Sequence, residues 1–205
     1  DKVLLGGYSD DPGYFITVLD GIREKVGTRV KVAHAEGCRI TEPGGSWHKD
    51  EVKLPDPAED AKRVAQAVET ARGADAVVLV LGGNEEVSRE AWSATHLGDM
   101  DTLELVGRQN ELAQKIVALG KPVVVVLLGG RPYSIEWIAQ NVPAIINGWY
   151  LGQETGHAVA DVLFGDYNPG ARLPVSIARN VGQLPVYYYQ RPSGRRGYLF
   201  SSKEP

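Results

Sequence analysis

The 205-residue sequence has a single cysteine, no long hydrophobic run and no strong excess of one charge. Cys38 has no partner for an internal disulfide, so disulfides cannot hold this fold, and cysteine usage leaves the cellular compartment open. Because no run of about 18 apolar residues occurs, no segment predicts a membrane-spanning helix. The formal net charge of −4 gives no general reason to expect nucleic acid or an anionic membrane as a partner.

Several binding and catalytic motifs are also missing. The chain has no Gly-x-x-x-x-Gly-Lys-Ser/Thr phosphate loop, and no Gly-x-Gly-x-x-Gly opens a helix, which disfavours a nucleotide-binding protein. The absence of a Gly-x-Ser-x-Gly segment argues against a hydrolase of the α/β-hydrolase type. The histidines stand singly, without the spacing of a zinc site. The sequence therefore implies no metal and no cofactor.

What the sequence does contain is an alternation of strand and helix patterns. Two continuous β-branched runs, 76–81 and 122–128, each end at a Gly-Gly pair and predict parallel strands buried on both faces. Further strands are predicted at 143–149, over the alternating run 29–35 and at residues 3–5. Strand signals of this kind are typical of a sheet inside an α/β domain.

Helical periodicity separates these strands. Apolar stripes predict helices over 17–26, 56–73, 102–119, 134–140 and 156–164. Because the two patterns alternate with short links, the sequence predicts an α/β fold in which a mainly parallel sheet carries helices on both faces, a three-layer sandwich. After the turn cluster at 165–170, prolines exclude helix and predict extended segments.

The segment 82–100, GGNEEVSREAWSATHLGDM, follows the first valine-rich run and gathers many ionisable groups. Ligands of parallel sheets bind beyond the carboxyl ends of strands, and roughly twenty residues is long against the usual two to six for such a loop. Any single acid in it could be solvated surface. The pairing of Glu90 with Trp92 favours a site, because an indole offers apolar surface to a sugar and a carboxyl group near an indole can have a raised pKa.

Eight motifs follow one another along the chain: NE at 84–85, SREAW at 88–92, HLGD at 96–99, GRQ at 107–109, GRPY at 130–133, WYLGQE at 149–154, ADVLFGDYNP at 160–169 and RLPV at 172–175. By itself, WYLGQE is equally well explained as a strand-to-helix turn in which Glu154 complements a helix N-terminus. Together the motifs resemble glycoside hydrolase family 3, and specifically its second domain, the α/β sandwich of β-glucosidases and β-xylosidases. The resemblance implies that residues 1–205 form one such domain, a fragment without the family's barrel domain and third domain.

In that family the barrel supplies the aspartate nucleophile, and the sandwich domain supplies the general acid/base from a long loop beyond a strand. The resemblance therefore implies that this chain carries the acid/base of a retaining exo-β-glycosidase of the β-glucosidase type. That group protonates the glycosidic oxygen and later deprotonates a water. Glu90, in Arg-Glu-Ala-Trp, matches the acid/base position, and Glu85 is the alternative. Arg89 and Trp92 are the expected substrate contacts.

A retaining mechanism needs two carboxyl groups roughly 5 Å apart, and the resemblance implies only one of them here. The isolated chain is therefore expected to fold but not to turn over glycosides. Its expected partners are a β-glycoside or oligosaccharide substrate and the N-terminal barrel domain of the same enzyme. A periplasmic or secreted location is favoured over a cytoplasmic one. The alternative is a non-catalytic carbohydrate-binding or interaction module of the same fold, and a nucleotide-binding protein ranks third.

Overall fold

The computed structural model describes residue 5 and residues 9–43, 52–90 and 99–189. Its helices and strands, in chain order, are α1 (Val18–Val26), α2 (Pro57–Arg72), β1 (Val77–Gly82), α3 (Gln109–Val117), β2 (Val123–Leu128), α4 (Glu136–Asn141), β3 (Ala144–Trp149) and α5 (Thr155–Leu163). Two short 3-10 turns lie at Glu85–Val87 and Val181–Gln183. Strand and helix alternate from α2 to α5, as the sequence predicts. No helix among the described residues is long and apolar enough to cross a membrane.

The three strands form a parallel sheet with β2 in the centre. All six residues of β1 pair in register with the six residues of β2, and β2 pairs with β3 with one shift of register after Leu127. Val125 and Val126 are neighbours in β2 and point to opposite faces, yet both are fully buried. A central parallel strand that is covered on both faces needs such a continuous apolar run.

One face of the sheet is covered by α2, α3 and α4. The core on this side joins apolar residues of the three helices to alternate residues of the strands, namely Val64, Ala67, Ala71, Leu112, Ala113, Ile116, Ile138, Leu79, Leu81, Val125 and Leu127. The start of α2 is fixed locally, because the Asp56 side chain accepts hydrogen bonds from the N–H groups of Ala58 and Glu59. Pro57 occupies the first helical position, where no N–H is needed.

The opposite face of the sheet is covered by α1 and α5, whose Val18 and Val159 pack with Val126 of β2. The two helices touch through their glycines. A Cβ on Gly21 would lie 2.1 Å from the Gly156 carbonyl oxygen, and a Cβ on Gly156 would lie 2.1 Å from the Thr17 carbonyl oxygen. Only glycine permits this approach. With helices on both faces of a parallel sheet, the predicted fold class is confirmed.

Two predicted elements are wrong. The run 29–35 forms no strand within the described residues, and Val30 is 56% exposed. Three of its seven residues are Arg, Lys or His, so it offers too little apolar surface to be drawn into the sheet. The helix predicted over 102–119 begins only at Gln109, because Gly107 has a φ of +71° and interrupts the helical backbone. Of the predicted strand at 3–5, residues 3 and 4 lie outside the described residues.

The segment that follows α5 has no strand between residues 164 and 189, and a short 3-10 turn is its regular element. It presents many large apolar side chains to solvent, namely Phe164, Tyr167, Leu173, Val175, Val181, Leu184, Tyr187, Tyr188 and Tyr189. The core described above therefore rests on residues 18–163, and the later segment adds little to it. Ala178, which is buried at 4% exposure, is an exception.

Candidate functional site

The carboxyl ends of the three parallel strands meet at one edge of the sheet. Residues 83–90 leave the end of β1, residues 129–133 leave β2, and residues 150–154 lead from β3 into α5. In open parallel sheets this edge is where ligands bind. Of the predicted site residues, Glu85, Arg89 and Glu90 follow β1 at this edge of the sheet.

The start of the β1 loop is tightly packed. Gly82 and Gly83 are buried, and Gly82 has a φ of +145°. A Cβ on Gly82 would lie 1.7 Å from the Leu128 carbonyl oxygen, and a Cβ on Gly83 would lie 2.0 Å from the Tyr133 hydroxyl. The Gly-Gly pair is therefore required so that the β2 backbone and Tyr133 can approach the end of β1.

The first turn of the loop, Glu85–Val87, is held by hydrogen bonds. The Asn84 side-chain oxygen accepts from the Val87 N–H at 3.3 Å, and its amide nitrogen donates to the Thr41 hydroxyl at 2.6 Å. The N–H groups of Ser88 and Arg89 both donate to the Glu85 carbonyl oxygen. Val87 points into the protein and is only 3% exposed. The loop is therefore fixed up to the residue before Glu90.

Ser88 lies where the loops from all three strands meet. Its hydroxyl donates to the Asn84 carbonyl oxygen at 2.7 Å. Burial raises the pKa of Tyr133 and the pKa of Tyr150, and in both cases the Ser88 hydroxyl partly offsets the rise. The Tyr150 ring also lies against Gly130, where a Cβ would be 2.6 Å from it. Two tyrosines from the neighbouring loops thus enclose the stem of the acidic loop.

The two candidate acids have different surroundings. Glu90 is exposed at the end of the described part of the loop, whereas Glu85 is partly buried in its first turn. The negative charge of Glu85 contributes to the raised pKa of Tyr150, after the larger effect of burial. Arg89 is partly buried beside Glu90, and Trp92 lies outside the described residues. The choice of Glu90 over Glu85 and the substrate contacts of Arg89 and Trp92 stay predictions.

Glu154 stands in a strand-to-helix turn, as its motif predicts, but its side chain makes no capping hydrogen bond to α5. Its carboxylate accepts from the Tyr14 hydroxyl at 2.8 Å and lies 2.6 Å from His157 Nδ1, and His157 Nε2 lies 2.7 Å from Glu24 of α1. Hydrogen bonds from Tyr14 and then His157 lower the pKa of Glu154. Contacts with Glu24 and then Glu154 raise the pKa of His157. Glu154 therefore joins α5 to the segment before α1, and His157 joins α5 to α1.

Gln109 contacts the start of the acidic loop, and in the sequence only its place in the GRQ motif draws attention to it. It is the first residue of α3 and is 3% exposed. Its side-chain oxygen accepts from the Gly82 N–H at 2.7 Å, and its amide nitrogen donates to the carbonyl oxygens of Gly82 at 2.8 Å and Val106 at 2.9 Å. All the hydrogen-bonding groups of this side chain thus act at the end of β1 and at the start of α3.

The family model described as the glycosyl hydrolase family 3 C-terminal domain matches residues 1–203. The chain belongs to glycoside hydrolase family 3. This family 3 domain is 44% identical over 206 residues to a beta-xylosidase of Formosa agariphila, covering 98% of this chain and 25% of that protein. It is 40% identical over 185 residues to a periplasmic beta-glucosidase of Salmonella typhimurium, covering 88% of this chain and 23% of that protein.

Two solved structures of β-glucosidases share the fold of this chain. The β-glucosidase EmGH1 of Erythrobacter marinus superposes with a TM-score of 0.88 at 47% identity, over 98% of this chain and 28% of that one. A beta-glucosidase of Listeria innocua in complex with isofagomine gives a TM-score of 0.73 at 29% identity, over 100% of this chain and 27% of that one. The chain spans about a quarter of the length of the curated relatives it matches. The resemblance stated from the sequence motifs is confirmed.

Proposed function

We propose that this chain is the acid/base-bearing domain of a retaining exo-β-glycosidase of the β-glucosidase type, which removes terminal non-reducing β-linked sugars. The observation that carries the proposal is the acidic loop at the carboxyl end of β1, whose stem is fixed while Glu90 is exposed. An acid/base must reach a substrate and also hold its position to within a fraction of an ångström. The relatives named beta-xylosidase and beta-glucosidase support the substrate class.

In this proposal Glu90 protonates the leaving glycosidic oxygen and then deprotonates the water that releases the sugar. The nucleophile is an aspartate of an N-terminal barrel domain in the longer protein, because a retaining mechanism needs a second carboxyl group roughly 5 Å away. Arg89 and Trp92 contact the substrate. Glu85 is the alternative acid, although its place in the first turn leaves it less exposed. Without the barrel domain the chain is inactive.

The proposed partners are a β-glycoside or oligosaccharide substrate and the barrel domain of the same enzyme. A periplasmic or secreted location is proposed as well, with support from the Salmonella typhimurium relative, which is named a periplasmic enzyme. Glycosides of glucose and of xylose remain alternative substrates, since relatives of both names match the chain.

A second candidate function is a carbohydrate-binding module. Tyr187, Tyr188 and Tyr189 are 51%, 99% and 79% exposed, and the rings of Tyr187 and Tyr189 stack with centroids 5.5 Å apart. Exposed aromatic rings offer apolar faces on which a sugar can pack. If this is the function, the isolated chain binds oligosaccharides and Tyr188→Ala weakens that binding, whereas the catalytic proposal predicts no dependence on Tyr188.

The test of the catalytic proposal uses the longer enzyme, in which this chain is joined to its barrel domain. We expect Glu90→Ala to lower kcat by about 10²- to 10⁴-fold on glycosides with poor leaving groups, because general acid catalysis contributes that much. Activated aryl glycosides should lose less in the glycosylation step, because their leaving group departs without a proton. The measurement is kcat/KM against leaving-group pKa.

Glu86→Ala is the matched control, since it removes a neighbouring carboxyl group from the same loop. It should leave the dependence on the leaving group unchanged. A steeper dependence in Glu85→Ala, with none in Glu90→Ala, would move the assignment to Glu85. If no acid of the loop changes the dependence, the catalytic role of this domain is wrong.

A further inference from the structure

The side chain of Gln109 completes the hydrogen bonding of Gly82, the last residue of β1. One edge of β1 pairs with β2, and Gln109 supplies a donor and an acceptor to the backbone of Gly82. A primary amide carries the same N–H and C=O groups as a peptide unit, so it can replace a neighbouring strand at one residue. The side chain is buried, where unpaired backbone groups are costly, which makes the pairing strong.

The same amide also fixes the far end of the connection between β1 and α3, residues 83–108, which contains the acidic loop. Its nitrogen donates to Gly82, where the loop leaves the sheet, and to Val106, which lies just before α3. Gly82 and Val106 are thus held together by one side chain, although they are 24 residues apart in the sequence. The candidate acids Glu85 and Glu90 lie between these two points. The direction in which they leave the sheet therefore depends on Gln109.

We propose that Gln109 is a positioning residue for the acid/base: it joins the two stems of the loop and so sets where the carboxyl group stands relative to the glycosidic oxygen. This inference rests on the proposed function. Gln109 takes no part in proton transfer, because all of its polar atoms bond to the backbone. Loss of the side chain should displace the acid without removing it. A displacement of about 1 Å can lower a rate about 100-fold.

The experiment uses the longer enzyme with its barrel domain and replaces Gln109 by Met, which has a similar length but no strong donor or acceptor. We expect kcat on a substrate with a poor leaving group to fall about 10- to 100-fold. On an activated aryl glycoside the loss should be several times smaller, while KM changes little on either substrate. Rates are corrected for the fraction of competent sites, titrated with a mechanism-based inactivator that carries an activated leaving group.

Gln114→Met is the matched control, because Gln114 lies on the same helix but is exposed. It should leave both rates unchanged. Gln109→Asn keeps the amide donor and acceptor on a shorter side chain, so it tests the idea if the Met variant does not fold. It should show the same selective loss to a smaller degree.

A purely structural role predicts that both substrates lose the same factor, or that all loss disappears after correction for competent sites, and either result would overturn the inference. Glu90→Ala and Glu85→Ala are measured in the same assay. If one of them shows selective loss and the Gln109 variants do not, the inference about Gln109 fails while the proposed function stands. If none of the variants does, both fail.

Discussion

Gly82 and Glu90 are eight residues apart, yet their surroundings are opposite. Gly82 is buried, has a left-handed backbone conformation and stands opposite Leu128 of β2, and both its N–H and its carbonyl oxygen bond to the Gln109 side chain. Glu90 is exposed, and no capping or ladder bond holds it within the described residues. The stem of the loop therefore belongs to the core, while Glu90, at the end of its described part, is open to solvent.

This difference teaches how a small domain can present an acid without weakening its fold. Stability comes from the stem, where Val87 and the two glycines are buried. In the proposed function, chemistry comes from Glu90, whose side chain is exposed. Substitutions in the two regions should consequently separate into those that change stability and those that change activity.

The largest effect is expected for Gly82→Ala. The new Cβ would lie 1.7 Å from the Leu128 carbonyl oxygen at a φ of +145°, so the pairing of β1 with β2 must shift. We expect a loss of more than about 4 kcal/mol in the free energy of unfolding, measured by urea denaturation. Gly170→Ala is the control, because a Cβ there would meet no atom within 4 Å. A Gly82→Ala protein as stable as the control would show that the stem is not rigid.

A smaller effect is expected for Asn84→Ala. This change removes the bond to the Val87 N–H and the bond to the Thr41 hydroxyl. Side-chain caps of this kind contribute about 1 kcal/mol, which should appear in the same denaturation experiment. Thr41→Val removes one of the two bonds and should cost less. Equal stability of Asn84→Ala and the unchanged protein would contradict the hydrogen-bonded first turn.

The smallest effect on stability is expected for Glu90→Gln, which keeps the size of the side chain. Because Glu90 is exposed, the free energy of unfolding of the Glu90→Gln protein should stay within about 0.5 kcal/mol of that of the unchanged protein. Amide hydrogen exchange should also be faster at Glu90 than at Leu79 and Leu81 of β1. Exchange as slow at Glu90 as at these residues of β1 would mean that Glu90 is part of the core.

The fold follows from the sequence where the signals are local. The cap at Asp56, the proline after it and the glycine at 73 predict the limits of α2, and the two valine-rich runs predict β1 and β2 within one residue. The start of α3 does not follow, because Gly107 has a φ of +71° and packs close to the distant Arg39, whose carbonyl oxygen would lie 3.3 Å from an added Cβ. Such long-range packing has no periodic trace in the sequence.

The site shows the same division. The position of the acidic loop could be predicted, since a strand pattern ends just before it. The hydrogen bonds of Gln109 could not, because the side chain and Gly82 are 27 residues apart and glutamine gives no sign of its partner. Ser88 and Tyr133 each stand in one of the motifs, but their proximity depends on the order of the strands.

The most direct test of the account is rescue by azide in the longer enzyme carrying Glu90→Ala. If Glu90 is the general acid/base, the water step slows because its base is lost, whereas azide is an anion that attacks without a base. Turnover of an activated aryl glycoside should then rise with added azide, and the product should be a glycosyl azide of retained configuration, identified by NMR. No acceleration in Glu90→Ala, or acceleration in Glu85→Ala instead, would contradict the assignment of Glu90.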